Sequence, residues 1–256
     1  MEKVLNKKKS IVTAIIAVIF FITGPTVSVW QISKLPNVTV GMSKAEAINL
    51  GGLANVAADF MIPKTAKSVL KHLSKASIQM AYAKIKMAEA VGMEPEKIQG
   101  ARQAMLAIIR SPNDLNAIRT SAQLEISEVE IERRISSTMN VTDQNKSERI
   151  KSLMNEANLA RHAAHKNNAA AIAKAVVLTG LIAKRTHDNP KSMAKHLATF
   201  LVVATVSQQL MKDQSKRSDE LKRITKEFDS RWSIKEPTDS DVKKFEKKLD
   251  KELQPQ

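Results

Sequence analysis

Apolar side chains recur every three or four positions through most of this chain, a spacing that places them on one face of an α-helix. The clearest stretch has the apolar positions Val69, Leu73, Ala76, Met80, Ala83 and Met87. Pro63 precedes this stretch, and proline is favourable at the first position of a helix. Gly92 follows it, as glycine commonly follows a helix end. The pattern therefore predicts a helix that begins at Pro63 and ends before Gly92.

A shorter apolar segment lies upstream of this helix. Ser43 and Glu46 have the spacing of a capping box, and they open a segment that runs to Ile62 and is interrupted by glycines at 51–52. No phosphate-loop pattern surrounds these glycines. We therefore interpret them as a break in the helix or a close helix crossing.

Further helices are predicted downstream, where proline and polar residues separate the apolar repeats. The spacing predicts a helix over 95–110, a turn over 111–114, and a helix that continues from Leu115 through Val129 to Ile135. All of these elements belong to a helical region over 43–142.

The second half of the chain predicts one long antiparallel helical hairpin. Residues 143–185 contain no proline, residues 186–190 form a turn, and residues 191–232 are again free of proline. Each arm carries its most apolar stretch beside the turn, at 169–183 and 197–206. Pairing of the two arms would place these stretches together.

The apolar tip of this hairpin has two interpretations. The first is the core of a water-soluble bundle, and the second is a membrane-inserting or pore-forming hairpin over 169–211. The uncharged runs are 9 residues at 175–183 and 15 residues at 197–211, whereas a span needs about 20 residues. Lys174 would also oppose insertion. Length therefore favours the bundle.

An uncharged run near the start of the chain is the strongest membrane candidate. It covers the 20 residues 11–30, its most apolar part is 11–23, and four lysines precede it. A basic stretch before an apolar run is typical of a signal peptide or a signal anchor. Thr26 and Ser28 make only a weak cleavage site, which favours the anchor. A buried helix of a cytosolic fold is the third alternative.

The predicted anchor has an aromatic boundary. Trp30 lies where an interfacial aromatic would end a span, and the anchor residues are Ile11, Ile15, Ile19, Phe20, Phe21 and Trp30. Since the lysines would stay in the cytoplasm, residues 31–256 are expected outside a membrane, which we take to be the bacterial inner membrane with the periplasm beyond it.

Composition narrows the function classes. Seven glycines, eight prolines and one tyrosine in 256 residues indicate a helical protein. The absence of cysteine excludes disulfides, thiol nucleophiles and cysteine-ligated zinc. The net charge of +15 can indicate nucleic acid, an anionic membrane surface or an acidic protein partner. Most of the charges alternate in sign along the predicted helices, however, which favours solvated helix faces. Nucleic acid is not expected, because only Phe228, Trp232 and Phe245 are available for base stacking in the basic tail.

Two groups of residues resemble metal ligands without completing a site. Glu125, Glu128 and Glu132 share one helix face, but the Glu-x-x-His partner of a di-metal centre is missing from the sequence. His162 and His165 lie one turn apart and lack a third ligand at a suitable spacing. We therefore predict no cofactor, no small-molecule substrate and no catalytic residues.

A short amphipathic helix is predicted at the end of the chain. Thr238 and its two neighbours can cap it, and its apolar face consists of Val242, Phe245, Leu249 and Leu253. This face suits a partner groove. It suits packing against the same chain equally well, because an isolated helix of this length is only marginally stable.

These patterns predict an all-α bundle built around the long hairpin. The expected organisation is a signal anchor or signal peptide at 1–30, a linker at 31–42, a helical region at 43–142, the hairpin at 143–232, and a linker with the terminal helix at 233–256. We expect a non-enzymatic interaction or assembly subunit of an envelope complex, with protein partners or self-association through helices. A pore-forming protein is one alternative, and a helical enzyme or binding module with an unrecognised site is another.

Overall fold

The computed structural model describes residues 50–112, 114–123, 126–188 and 197–253. Every regular element within these ranges is an α-helix, which confirms the all-α prediction. In chain order the helices described are α1 Leu50–Ala90, α2 Pro95–Arg110, α3 Leu115–Gln123, α4 Glu128–Met139, α5 Gln144–Asp188, α6 Leu197–Trp232 and α7 Asp239–Glu252. The predicted anchor over 11–30, with its residues from Ile11 to Trp30, lies outside the described residues.

Helix α1 is one element of 41 residues that passes through Pro63. The predictions that Pro63 begins a helix and that the glycines at 51–52 break one were therefore wrong. The alternative for these glycines, a close helix crossing, stays an untested prediction. Proline removes one hydrogen bond inside a helix and usually destabilises it. Here Ile62 and Ala66 are both buried, on either side of the proline. Their packing holds the helix together where local preference alone would end it.

The predicted helix over 115–135 is two helices, so that prediction was also wrong. Helix α3 ends at Gln123 and α4 begins at Glu128. Ser127 is the extended residue before α4, and Glu128 and Glu130 in the first turn complement the helix dipole. Val129, which the sequence placed on the apolar face, is 55% exposed. Helix α2, in contrast, has the bounds that its apolar spacing predicts.

Helices α5 and α6 form the antiparallel pair that the sequence predicts, but α5 continues as a helix to Asp188, so the predicted turn over 186–190 was wrong for residues 186–188. The Asn168 amide donates to the Met211 carbonyl at 3.0 Å, and the Trp232 indole donates to Ser147 at 2.9 Å. However, α5 packs more extensively along α1 than along α6, and α1 is also antiparallel to it. The centre of the bundle is therefore α5, with α1 and α6 beside it.

The buried apolar residues form two cores along this bundle. The entry core, at the end where α1 begins, includes Ile62, Val69, Leu73, Ile118, Ala175, Leu178, Ile182 and Met211. The distal core, where α1 and α6 end, includes Met80, Met87, Ile131, Met154, Leu221, Phe228, Trp232 and Phe245. We call the corresponding parts of the molecule the entry end and the distal end. All three long helices run through both.

The chain leaves α6 through a backbone conformation that is uncommon outside glycine. Ser233 has φ 49° and donates its N–H to the Asp229 carbonyl at 3.1 Å. Helix α7 then begins at a capping box, in which Thr238 and Asp241 each bond the other's backbone N–H. The predicted cap is thus confirmed, and the bend returns α7 onto α1 and α5.

Candidate functional site

The predicted interaction helix is α7, and its apolar face is directed into the bundle. Val242, Phe245 and Leu249 are buried in the distal core, and Leu253 packs against it. The Phe245 ring meets the Tyr82 ring edge-on, with 5.7 Å between centroids. In the structure, the apolar face of α7 therefore packs against its own chain. Docking of these residues into a partner groove stays an untested prediction.

Polar side chains also hold α7 in place. The Glu246 carboxylate accepts hydrogen bonds from Gln79 at 3.1 Å and from Asn167 at 2.6 Å. Asp250 pairs with Lys75 at 2.7 Å. Gln79 and Asn167 are both more than nine-tenths buried, so the bonds to Glu246 satisfy amides that water reaches poorly. Helix α7 therefore completes the interior of the bundle.

A layer of buried amides and hydroxyls lies between the two cores. Asn168 donates to the Met211 carbonyl and to the Ser215 hydroxyl at 2.9 Å. Gln214 donates to Ser77 across the α1–α6 contact. These side chains pair in one register of the three long helices, because sliding any helix would leave buried polar groups unbonded. We call these side chains the polar layer, together with Asn167 and Gln79, of which the first donates to the second at 3.0 Å across the contact between α5 and α1.

The glutamates that resembled metal ligands are engaged in ion pairs. Glu128 lies 2.5 Å from the Nζ of Lys84, whose side chain is only 2% exposed. Glu132 accepts from both Nη atoms of Arg223, at 2.5 and 2.7 Å. These hydrogen bonds hold the pKa of Glu132 below its ordinary value. Glu125 lies outside the described residues.

The two neighbouring histidines have separate surroundings. His162 Nε2 lies against the Arg161 guanidinium and 3.2 Å from Glu236, while His165 is exposed. Burial, and then the Arg161 charge, lower the pKa of His162. A third histidine, His72, bonds to Asn167 at 3.1 Å. The described ranges contain no group of three potential ligands that could hold a metal.

A groove of about 420 Å³ lies between α1, α5 and α7. The Tyr82 hydroxyl donates to Glu156 at 3.2 Å on its wall, and Lys86 lies 3.4 Å from the same carboxylate. Burial and the Glu156 charge raise the pKa of Tyr82, which keeps this hydroxyl a donor. Tyr82 and Glu156 are 74 positions apart in the sequence, so no local spacing predicts that these three side chains meet.

No family model, curated protein or solved structure matches this chain. Its function must therefore be inferred from its own residues, and the most informative of these lie on the surface. The large apolar side chains exposed in the described residues are Met61, Leu106, Val129, Ile172, Val176 and Val177. Three of the six occupy two turns of one helix.

These three residues form a row at the entry end. Ile172 is 43% exposed, Val176 is 47% exposed and Val177 is 46% exposed. Ala169, Ala173 and Gly180 are exposed beside them. We call these six residues the outer face of α5. The apolar stretch at 169–183 is evident in the sequence, but its composition does not separate the outer face from the residues that fill the entry core.

Charge is divided unevenly between the two ends. No acidic residue occurs from 60 to 88 or from 157 to 187, and these ranges hold the parts of α1 and α5 around the entry core. The distal end carries acidic and basic side chains together, for example Arg134 with Glu94 at 2.5 Å and Arg223 with Glu132. These parts of α1 and α5 are therefore basic and partly apolar, with Asp59 and Asp188 directly beyond the two ranges, while the distal end is balanced.

A search of the described helices for a membrane span finds none of sufficient length and apolar character.

Proposed function

We propose that this protein is a non-enzymatic helical assembly subunit, tethered to a membrane by residues 11–30 and exposed on the far side, in bacteria the periplasm. The observation that carries the proposal is the direction of α1, which begins at Leu50 in the basic, apolar entry end and runs toward the distal end. A tether that precedes α1 would hold the entry end toward the bilayer. The distal end would then face partner proteins.

The distal end offers a suitable contact for such a partner. Val129 on α4 is the most exposed of the large apolar side chains described, at 55%. Glu130 and Glu132 lie beside it on the same helix. An apolar residue within a polar rim is the usual composition of a transient protein interface. The proposed partner is a protein that covers α4.

Site-specific crosslinking in intact cells tests this partner surface. The chain has no cysteine, so Val129→Cys and the matched control Gln103→Cys, on the exposed side of α2, each carry a single site for a photoactivatable maleimide. We expect a crosslinked product from position 129 and none from position 103. Equal products from both positions, or none from either with a monomeric chain on size-exclusion chromatography, would contradict the proposal.

The tether has its own test. Full-length protein should remain in the membrane fraction after alkaline carbonate washing, and a variant with Ile15→Asp and Ile19→Asp should be released. Release of the unaltered chain would refute the anchor, while leaving the partner surface to be judged by crosslinking.

A membrane-inserting function is the second candidate, and the exposed outer face of α5 favours it. Leu178 and Ile182 on the same helix are buried in the entry core, so insertion of the whole hairpin would require the bundle to open. Dye release from anionic vesicles tests this candidate. Release that Val176→Asp or Val202→Asp abolishes would support it, and retention of the dye would exclude it.

The groove beside Tyr82 supports a third candidate, a binding module for a small polar molecule. Tyr82 and Glu156 supply a donor and an acceptor on its wall. A thermal-shift screen of the unaltered chain and Tyr82→Phe tests this candidate, since a genuine ligand should stabilise the first more than the second. Equal shifts for both would place the ligand elsewhere.

A further inference from the structure

We propose that the outer face of α5 lies on an anionic lipid surface, with Ile172, Val176 and Val177 at the level of the headgroups and acyl chains and Lys174 and Lys184 against lipid phosphates. This inference deepens the proposed function, on which it rests only for the presence of a membrane nearby. It concerns contact with one leaflet by a folded bundle, without insertion of the hairpin.

Helix geometry separates the outer face from the core. Successive residues turn by about 100°, so Ile172, Val176 and Gly180 project away from Ala171, Ala175 and Leu178, which face the entry core. The burial pattern follows this division, because Ala171, Ala175 and Leu178 are each at most 1% exposed. The outer face extends over three turns, about 16 Å. That is the arrangement of an interfacial helix, apolar on one side along its length.

The flanking charges suit lipid phosphates. Lys174 and Lys184 are exposed beside the outer face, and no carboxylate within the described residues forms an ion pair with either. Lys166 continues the row and pairs with Asp239 at 3.2 Å. Lysine can extend its ammonium group to the headgroups while its methylene stem covers apolar surface. Each lysine near an anionic bilayer strengthens binding about fivefold.

The parts of α1 and α5 around the entry core carry basic side chains and no acidic ones over 60–88 and 157–187. Lys67 and Lys71 are exposed on α1, and the N-terminal part of α1 is antiparallel to the C-terminal part of α5. A second copy of the chain would bring like charges onto the outer face, which opposes self-association there. A bilayer offers phosphates over the whole end. Helix α1 also begins at this end, with Leu50, so an anchor that precedes it in the chain would raise the local concentration of lipid beside the outer face.

Fluorescence depth measurements test the contact in the full chain. Val176→Cys and the matched control Val129→Cys, at a valine of the distal end that is 55% exposed, are each labelled with an environment-sensitive dye. The labelled chains are placed in phosphatidylcholine vesicles with or without phosphatidylglycerol, each doped with spin-labelled lipid as a quencher. We expect quenching at position 176 only with phosphatidylglycerol, and little quenching at position 129 in either vesicle.

Charge variants supply the second measurement. Lys174→Glu combined with Lys184→Glu should weaken the quenching at position 176 at least tenfold, and high salt should weaken it as well. Circular dichroism should be unchanged, because both lysines are exposed. If the double glutamate variant lost helicity, Lys174→Gln combined with Lys184→Gln would replace it in the measurement. For this milder variant we expect a smaller loss of quenching.

Equal quenching at position 176 in both kinds of vesicle, or no quenching there in either, would overturn the inference. Disulfide-linked dimers of the Val176→Cys variant in lipid-free detergent would also overturn it, because they would assign the outer face to a second copy of the chain. Dye leakage together with deep quenching would assign it to insertion. The anchor is judged independently. If carbonate washing releases the chain but position 176 is still quenched, the lipid contact holds and the tether fails.

Discussion

The two ends of the bundle are built from the same three helices but are stabilised differently. The distal core contains Phe228, Trp232 and Phe245, and its surroundings pair charges of both signs across helices, as in Lys84 with Glu128. The entry core, within the described residues, is aliphatic without an aromatic side chain. Aromatic rings contribute large buried areas, so the distal end should carry most of the stability.

This difference suggests that the distal end supplies stability and the entry end supplies a binding surface. A surface that binds a membrane or a partner must expose apolar and unpaired charged groups, and such groups stabilise the free protein little. The entry end has both, in the outer face of α5 and in Lys174. We expect the distal end to supply most of the stability of the fold, and the hydrogen bonds of Asn168 and Gln214 in the polar layer to set the register of the long helices.

The largest expected effect is the loss of a distal aromatic side chain. Phe228 is fully buried, so Phe228→Ala should lower the free energy of unfolding by about 3–5 kcal/mol. In the entry core, Leu178→Ala should cost about 2–5 kcal/mol and should fall in the lower part of that range, because it lies nearer the exposed outer face. Urea unfolding is followed by circular dichroism and by Trp232 fluorescence in a Trp30→Phe background.

The two signals distinguish the two ends. Phe228→Ala should shift both midpoints together, because all three long helices meet at the distal core. Leu178→Ala should shift the midpoint seen by circular dichroism more than that seen by Trp232, which lies in the distal core. Equal shifts of both signals in both variants would show that the ends have no separate stability.

A smaller effect is expected from the buried ion pair at the distal end. Glu128→Gln removes the carboxylate that lies 2.5 Å from Lys84. Breaking a buried pair on one side costs about 3–5 kcal/mol, and the lower part of this range is expected because the Glu128 side chain is 18% exposed. The double variant Lys84→Met with Glu128→Leu should recover most of this loss, because neither charge is then buried. Urea midpoints measure both. A double variant less stable than Glu128→Gln would show that Lys84 has a role beyond this pair.

The polar layer should contribute less again. Asn167→Leu leaves Gln79 and Glu246 without one of their partners, and an unsatisfied buried polar group costs about 1–3 kcal/mol. The matched control is Gln103→Ala, at an exposed position on α2, which should change stability by less than about 0.5 kcal/mol. If Asn167→Leu were as stable as the control, the polar layer would not set the register of the helices.

The sequence predicts those elements in which local preference and packing agree. Residues 95–110 have a proline start and a clear apolar face, and Thr238 with Asp241 gives a capping box, so both helices are predictable. Pro63 was misjudged because tertiary burial of its neighbours outweighed the lost hydrogen bond. The exposure of Val129 could not be foreseen either, since it depends on which neighbouring helix covers α4.

The pairing of α5 with α1 was hidden for a similar reason. Apolar spacing identifies the buried face of a helix, but it does not say which helix covers that face. The contact between Tyr82 and Glu156 joins positions that no local pattern relates. The outer face of α5 was likewise concealed, because its valines are as apolar as Leu178 and differ from it only in direction.

The smallest expected effect is a pH dependence that belongs to His162. Burial and the Arg161 charge lower its pKa in the folded protein below the ordinary value of 6.5. Between the lowered value and about 6.5, the unfolded chain therefore binds a proton that the folded chain does not. Stability should fall as the pH drops through this window and should be fully present above it.

Substitution isolates this contribution. His162→Gln keeps an acceptor for the Arg161 guanidinium and removes the titration, so the free energy of unfolding should fall less between about pH 7.5 and about pH 5.5 than in the unaltered chain. The carboxylates of Glu94 and Glu132 also have lowered pKa values, but their stabilisation is lost only in more acidic solution, below the ordinary carboxyl value of 4.5. An identical pH dependence in both chains would mean that the distal end loses stability in acid through other groups.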